Sequence, residues 1–411
     1  MSLSLILDKS TFQMLNIDEV VLLHNYYKPN ITPILVMEVL GDLKKGVDSG
    51  EISKDRVVDF SKKLLPYNSV VNVHFQQLIA GDLVGHSILT EFRPLVGNVT
   101  PMESATGKLG FNIQDSHEEK ALSRWRDGEF SDIDTLLAEL WRESTTQKDI
   151  LQNLKDAMRE RDVGDNKIKN IDQLILYVDG LLNSDQNQTN VLHFIVSEFD
   201  IDSKTASDAF LRWEQSEKNS VAFFAPYAFY CCRVKLLFYL ILKNDFFGGV
   251  KPTNLLDLQY LYYLPFCVVF SSNDNFHKKF VPLVIDKYQT FVIGQDLKSD
   301  LKNLVSYRST LSEQKDIVRT LKEPPLIYTS QTYQLWTKYF DFPPKYKRQT
   351  SEKEIENAKS KMEEFIAASK LGKQEQIENP DFFVKEMFLK LTDLCPCGSG
   401  KQLKECHLKR Q

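Results

Sequence analysis

Two groups of residues in this chain have types and spacings suited to chemistry. The first is compact. Cys395, Cys397, Cys406 and His407 lie within the last seventeen residues, spaced as C-x-C, eight residues, then C-H. Three thiolates and an imidazole form a donor set that suits a tetrahedral Cys3His zinc site. Gly398, Ser399 and Gly400 between the pairs supply the backbone reversal that folds one pair onto the other. So short a segment cannot bury a core, and a structural zinc ion would supply on the order of 10 kcal/mol of folding free energy instead. The second group is dispersed: Asp8, Glu38, Asp257 and Asp274. Asp8 ends a strand-like apolar run, and Glu38 sits inside ILVMEVL. Asp257 enters the apolar and aromatic run LLDLQYLYYL, and Asp274 follows FCVVF. Carboxylates beside core positions need partners. If the four converge, two of them about 5 Å apart repel by roughly 3 kcal/mol at an effective dielectric of about 20. Magnesium or manganese, which prefer oxygen ligands, relieves that conflict and activates water for an in-line phosphoryl displacement.

The elements that must position these acids can be read in outline. LSLIL predicts a strand that ends at Asp8. ITPILVMEVLGDLKK predicts a helix, with Thr32 as N-cap and Pro33 at the first helical position. TNLLDLQYLYYLP reads as a helix ending near Pro265, FCVVFSSNDNF as a buried strand running into a polar turn, FHKKFVPLVI as a short helix, and QTFVIGQD as another strand. Alternating strands and helices predict a parallel α/β sheet, and in such sheets sites form beyond the carboxyl ends of the strands. Asp8 and Asp274 both follow strands there. Residues 46–250 read as mostly helical, with DIDTLLAELWRE and NIDQLILYVDGLL carrying helical spacing. Residues 301–390 read as helix and linker, with FPPKYKRQTSEKE as a hinge and EKEIENAKSKMEEFIAASK as a charged helix.

The tail resembles the SEC-C motif, C-x-C-G-S-G-x-x-x-K-x-C-[CH], at Cys395, Cys397, Gly398, Ser399, Gly400, Lys404, Cys406 and His407. The resemblance implies a small zinc-binding interaction module. Lys401, Lys404, Lys409 and Arg410 against Glu405 make it basic, suited to an acidic protein surface or to an RNA such as that of the ribosome. The body resembles the PIN domain, a metal-dependent nuclease fold, in the order LILDKST, ITPILVMEVL, LLDLQYLYYL and VVFSSNDNF. By that resemblance Asp8, Glu38, Asp257 and Asp274 take the four acidic places and hold Mg2+ or Mn2+. Ser10 and Ser272 match the small hydroxyl positions that flank the acids. The chain departs from the family pattern in three ways: about 200 residues separate the two blocks, Lys9 sits beside the first acid, and Phe276 falls one position early.

The expected architecture is therefore α/β. A PIN-like parallel sheet flanked by helices is drawn from residues 1–45 and 251–300. A large, mostly helical insertion spans 46–250, a helical segment and linker 301–390, and a zinc knuckle 391–411. The expected activity is a metal-dependent endoribonuclease with RNA as substrate, brought to a protein or ribosomal partner by its zinc module. The alternative is a non-catalytic zinc-binding scaffold on a degenerate PIN-like fold. Candidate phosphate contacts are Lys278, Lys279 and the KYKR run at 345–348, where Tyr346 interleaves with charge.

Composition sets further bounds. The chain has 411 residues, 42% hydrophobic and 26% charged, with a net charge of −5, so no global basic field marks a nucleic-acid binder. VAFFAPYAFYCCRVKLLFYLIL, residues 221–242, is long enough to span a bilayer. Pro226, Arg233 and Lys235 interrupt it, so it reads as a buried helix and no membrane partner is expected. The opening residues lack a basic n-region. With only six cysteines and no disulfide framework, a reducing cytoplasm is the expected compartment. GSGK in the tail lacks the four-residue spacing of a phosphate loop, and no histidine lies in an H-E-x-x-H setting. His277, beside the last acid, reads as a surface residue.

Overall fold

In the computed structural model the described residues are 2–44, 53–64, 69–97, 99–103, 109–146, 149–160, 168–340 and 342–343. The zinc-motif residues Cys395, Cys397, Cys406 and His407, the 345–348 basic run, all of the expected hinge after Pro343 and the charged helix before the motif lie outside them.

Seven strands occur among the described residues: β1 (Leu3–Leu7), β2 (Tyr27–Ile31), β3 (Val70–Val71), β4 (Val99–Glu103), β5 (Leu109–Ile113), β6 (Val269–Ser272) and β7 (Thr290–Ile293). β4 and β5 form a separate antiparallel hairpin. The other five make one sheet in the order β3-β2-β1-β6-β7, with every pairing parallel. All five residues of β1 are buried, as a central strand covered by helices on both faces requires. The chain winds outward from β1 through β2 to β3, then returns to the other side of β1 as β6. The strand order thus reverses between β1 and β6. In doubly wound sheets that crevice, beyond the strand carboxyl ends, is where ligands sit.

The helices that face this crevice are set by local caps. Asp8 precedes the Lys9–Met14 helix, and its carboxylate accepts from the Thr11 amide at 2.9 Å. Thr32 caps the Pro33–Leu40 helix through the Leu35 amide at 3.2 Å, with Pro33 in the first turn as expected. Asp274 caps Asn275–Phe280 through the Phe276 amide at 2.6 Å. Each side-chain oxygen satisfies a first-turn amide that has no partner inside its helix.

The segment read as a helical insertion is mostly helical, and it also supplies β3 to the main sheet. Its apolar stretch forms the short helix Val221–Phe224 and the long helix Pro226–Lys243, with twelve buried side chains in the latter. Pro226 begins the long helix rather than breaking it. Its first free amides, on Tyr227 and Ala228, donate to the Asp82 carboxylate at 2.8 and 2.9 Å. Arg233 pairs with Asp179 at 2.6 Å and Lys235 with Glu198 at 3.2 Å, so both charges inside the apolar stretch are answered by acids on neighbouring elements. Among the described residues no helix is long and apolar enough to cross a membrane.

Candidate active site

Backbone pairing brings the first and last acids together. Leu7 lies opposite Ser271 in the β1–β6 register, and the Asp8 amide continues the ladder to the Ser271 carbonyl at 3.2 Å. Asp8 is buried and fully engaged. Its Oδ1 takes the Thr11 amide, while its Oδ2 takes the Ser10 hydroxyl at 2.7 Å and the Ser272 hydroxyl at 2.6 Å. The Ser272 oxygen also accepts from the Asp274 amide at 3.0 Å. One hydroxyl therefore joins Asp8 to the backbone of Asp274.

The same hydroxyl fixes the charge of His277. Ser272 has one proton, and the short contact to the Asp8 carboxylate uses it. With Asp8 ionised, as its lowered pKa favours, His277 Nδ1, 2.7 Å away, donates to the serine oxygen. His277 Nε2 lies 2.8 Å from the Asp257 carbonyl, which can only accept. An imidazole that donates from both nitrogens is an imidazolium. Burial pushes its pKa down, but the Asp8 contact and the charges of Asp257 and Asp8 outweigh this and raise it. Asp8 answers in kind: burial opposes its ionisation, yet His277, Ser272 and Ser10 together hold its pKa below the usual carboxylate value. His277, expected at the surface, is wholly buried at 0% exposure. Phe276, His277 and Phe280 are the buried face of their helix.

Glu38 and Asp257 are held differently. Both are half-buried. Tyr260 donates its hydroxyl to Glu38 Oε2, and Lys9 reaches the Glu38 carbonyl at 2.8 Å and the Asp42 carboxylate at 2.7 Å. Lys9 thus ties the first helix to the end of the Pro33–Leu40 helix. Burial pushes Glu38 up to about 7; the Tyr260 bond and the Lys9 charge lower it, and Asp257 and Asp8 raise it. Asp257 is pushed up to about 6, first by burial and also by Asp274 and Asp8, against the opposing pull of His277 and of Asn254, whose amide donates to Oδ2 at 2.8 Å. The four acids therefore act on one another electrostatically across the crevice.

They do not form a finished ligand cage. Among the described residues no three His, Cys, Asp or Glu side chains are grouped so as to hold a metal ion. Each carboxylate has a donor of its own: Asp8 has Thr11, Ser10 and Ser272, Glu38 has Tyr260, Asp257 has Asn254, and Asp274 has Phe276. In type, the donors fit a hard divalent cation, being carboxylate oxygens throughout. Glu38 and Asp257 carry charge that their surroundings penalise, which a cation would relieve.

Sequence reasoning did not assign roles to His277, Tyr260 and Asn254. Asn254 and Tyr260 each lie three residues from Asp257, on its side of the same helix, so the helical period was the signal that could have found them. His277 lies three residues after a capping Asp and between two buried phenylalanines.

A family model for the SEC-C motif matches residues 392–409. No curated protein and no solved structure matches the chain.

Proposed function

We propose that this chain is a divalent-metal-dependent nuclease of PIN-like type acting on RNA, directed to its target by a C-terminal zinc module. One observation supports the reading: Asp8 and Asp274 follow adjacent parallel strands where the strand order reverses, and Glu38 and Asp257, raised first by burial, also feel the charge of these acids. Asp8, Glu38, Asp257 and Asp274 would hold Mg2+ or Mn2+. When bound, such an ion activates water and offsets charge on a transferring phosphoryl group. The chain supplies the rest. Ser10, Ser272 and His277 fix the orientation of the Asp8 carboxylate. The SEC-C match supports zinc at Cys395, Cys397, Cys406 and His407, and the basic residues around them suit an acidic protein surface or ribosomal RNA.

The test is cleavage of labelled single-stranded RNA by the zinc-loaded chain with Mn2+, with EDTA, and in the Asp8→Asn and Asp274→Asn variants. Asparagine keeps an oxygen for each helix cap; because Asp8→Asn also removes the carboxylate beside buried His277, unfolding of both variants is measured alongside, and Asp274→Asn is the test of chemistry. Normal cutting by both variants removes the acids from the mechanism. A second reading, a non-catalytic scaffold, is favoured by the absence of a preformed ligand group among the described residues. It expects no stabilisation by Mg2+ or Mn2+ and a response to zinc chelation only.

A further inference from the structure

A polar-walled cavity of about 310 Å³ opens beside the acids. It sits at the lower end of the about 300–1,000 Å³ range typical of small-ligand sites, room for one nucleotide rather than a long ligand. Asp274 forms part of its wall, and so does Asn254, the residue that holds the Asp257 carboxylate. Gly248 and Gly249, with φ of 59° and 63°, also line the cavity. Nothing lies within 4 Å of where a Cβ would stand on either glycine, so a ligand can approach the bare backbone closely. Two cations complete the wall. Lys251 is exposed, and its backbone amide donates to Asn254 Oδ1 at 2.8 Å. Lys279 is exposed on the helix that Asp274 caps, and its ammonium is anchored on the Phe247 carbonyl at 2.7 Å.

We propose that this cavity binds a backbone phosphate of single-stranded nucleic acid adjoining the phosphate at the acids, with Lys251 and Lys279 as its charge contacts. The proposal rests on the nuclease reading for the role of the neighbouring acids. Its own warrant is local: two ammonium groups against one carboxylate, an open glycine backbone, and a volume sized for one unit of the chain. Asn254 joins the two parts physically, since it bonds the Lys251 backbone with one end of its amide and Asp257 with the other. Strand seated at the lysines is thereby held in register with the acids.

The experiment is fluorescence anisotropy of labelled oligouridine with the full chain in EDTA across a series of salt concentrations. Each phosphate contact to a single strand adds about 0.7 to the slope of log affinity against log salt. Lys251→Gln/Lys279→Gln should lower that slope by about 1.4 and weaken binding about tenfold at roughly 0.1 M salt. Lys251→Glu, a change at an exposed side chain, should weaken binding as well and guards against a folding artefact at Lys279. An equal loss on oligothymidine identifies the phosphate as the group recognised. Parental affinity and slope in both variants, or no binding of either oligonucleotide by the parent, overturn the proposal. Cutting of RNA with unchanged salt slope in the variants sinks the cavity and leaves the nuclease reading standing. Lysine-dependent binding without cutting does the reverse.

Discussion

Glu38→Gln should make the metal-free protein more stable at alkaline pH and leave it little changed in acid. The reasoning starts from a carboxyl held at about 7 by burial and by the neighbouring acids, against an ordinary 4.5. Below the ordinary value the folded and unfolded chains both keep the proton, and Glu38 exerts no pH-dependent effect. Between 4.5 and about 7 the unfolded chain releases its proton while the folded chain retains it, so stability falls as pH rises. Above about 7 both forms are ionised and the penalty is complete. At ~1.4 kcal/mol per pH unit the full penalty is about 3 kcal/mol. Glu38 is half-buried and solvent screens part of this, so about 2 kcal/mol is expected. Glutamine keeps an oxygen to accept from Tyr260 and cannot ionise. Urea unfolding of parent and variant in EDTA, at about pH 5 and about pH 8, isolates the effect, because titrating groups that do not interact with Glu38 cancel in the difference. The variant should gain about 2 kcal/mol at the higher pH and a few tenths at the lower one. Added Mg2+ or Mn2+ should close the gap by stabilising the parent, to ~2.7 kcal/mol at a hundredfold excess over Kd. A variant that loses stability at the higher pH, or that follows the parent's pH profile unchanged, would refute the view that burial and the neighbouring acids hold the Glu38 proton in the folded chain.

Gly294 begins the helix after β7, and a Cβ there would stand 2.3 Å from Thr11 Oγ1 and 3.1 Å from Thr11 Cβ. Gly294→Ala should therefore cost about 1–3 kcal/mol in chemical denaturation. It should also loosen Asp8, whose Oδ1 is held by the Thr11 amide. An unchanged unfolding midpoint would show that the two helices separate easily. Elemental analysis should find one zinc per chain, lost on Cys395→Ser/Cys397→Ser; full zinc in that variant would place the metal elsewhere.

The parts of the fold that were legible share a cause. LSLIL is a buried, mostly apolar strand, FCVVF runs into the buried strand Val269–Ser272, and Thr32-Pro33 is a helix start that depends on neighbours in sequence. β2 was hidden because its sequence, YKPNI, is polar. Asn30 is nonetheless 1% exposed, which its amide tolerates because it donates to the Phe266 carbonyl at 3.1 Å and its oxygen accepts from Asn72 at 3.2 Å. Those partners come from distant segments, and no local pattern announces them. β3 was hidden by its length of two residues. Within the site, the acids stood out because carboxylates are conspicuous among apolar residues. Their supporting groups did not. His277 is charged because of where Ser272 sends its proton, and that depends on a strand pairing across most of the described chain.

That pairing also governs timing. Asp8 and the Ser272 hydroxyl that fixes it are separated by 264 residues. At roughly 5–20 residues per second, a chain emerging from the ribosome carries Asp8 for about 15–50 seconds before Ser272 is made. Through that interval β1 lacks one of its two neighbours, and Glu38 lacks Tyr260. The nascent chain is thus without an assembled acid site until most of its length exists. Whatever chemistry the acids perform, a site assembled in this order cannot act while the first half of its own chain is being translated.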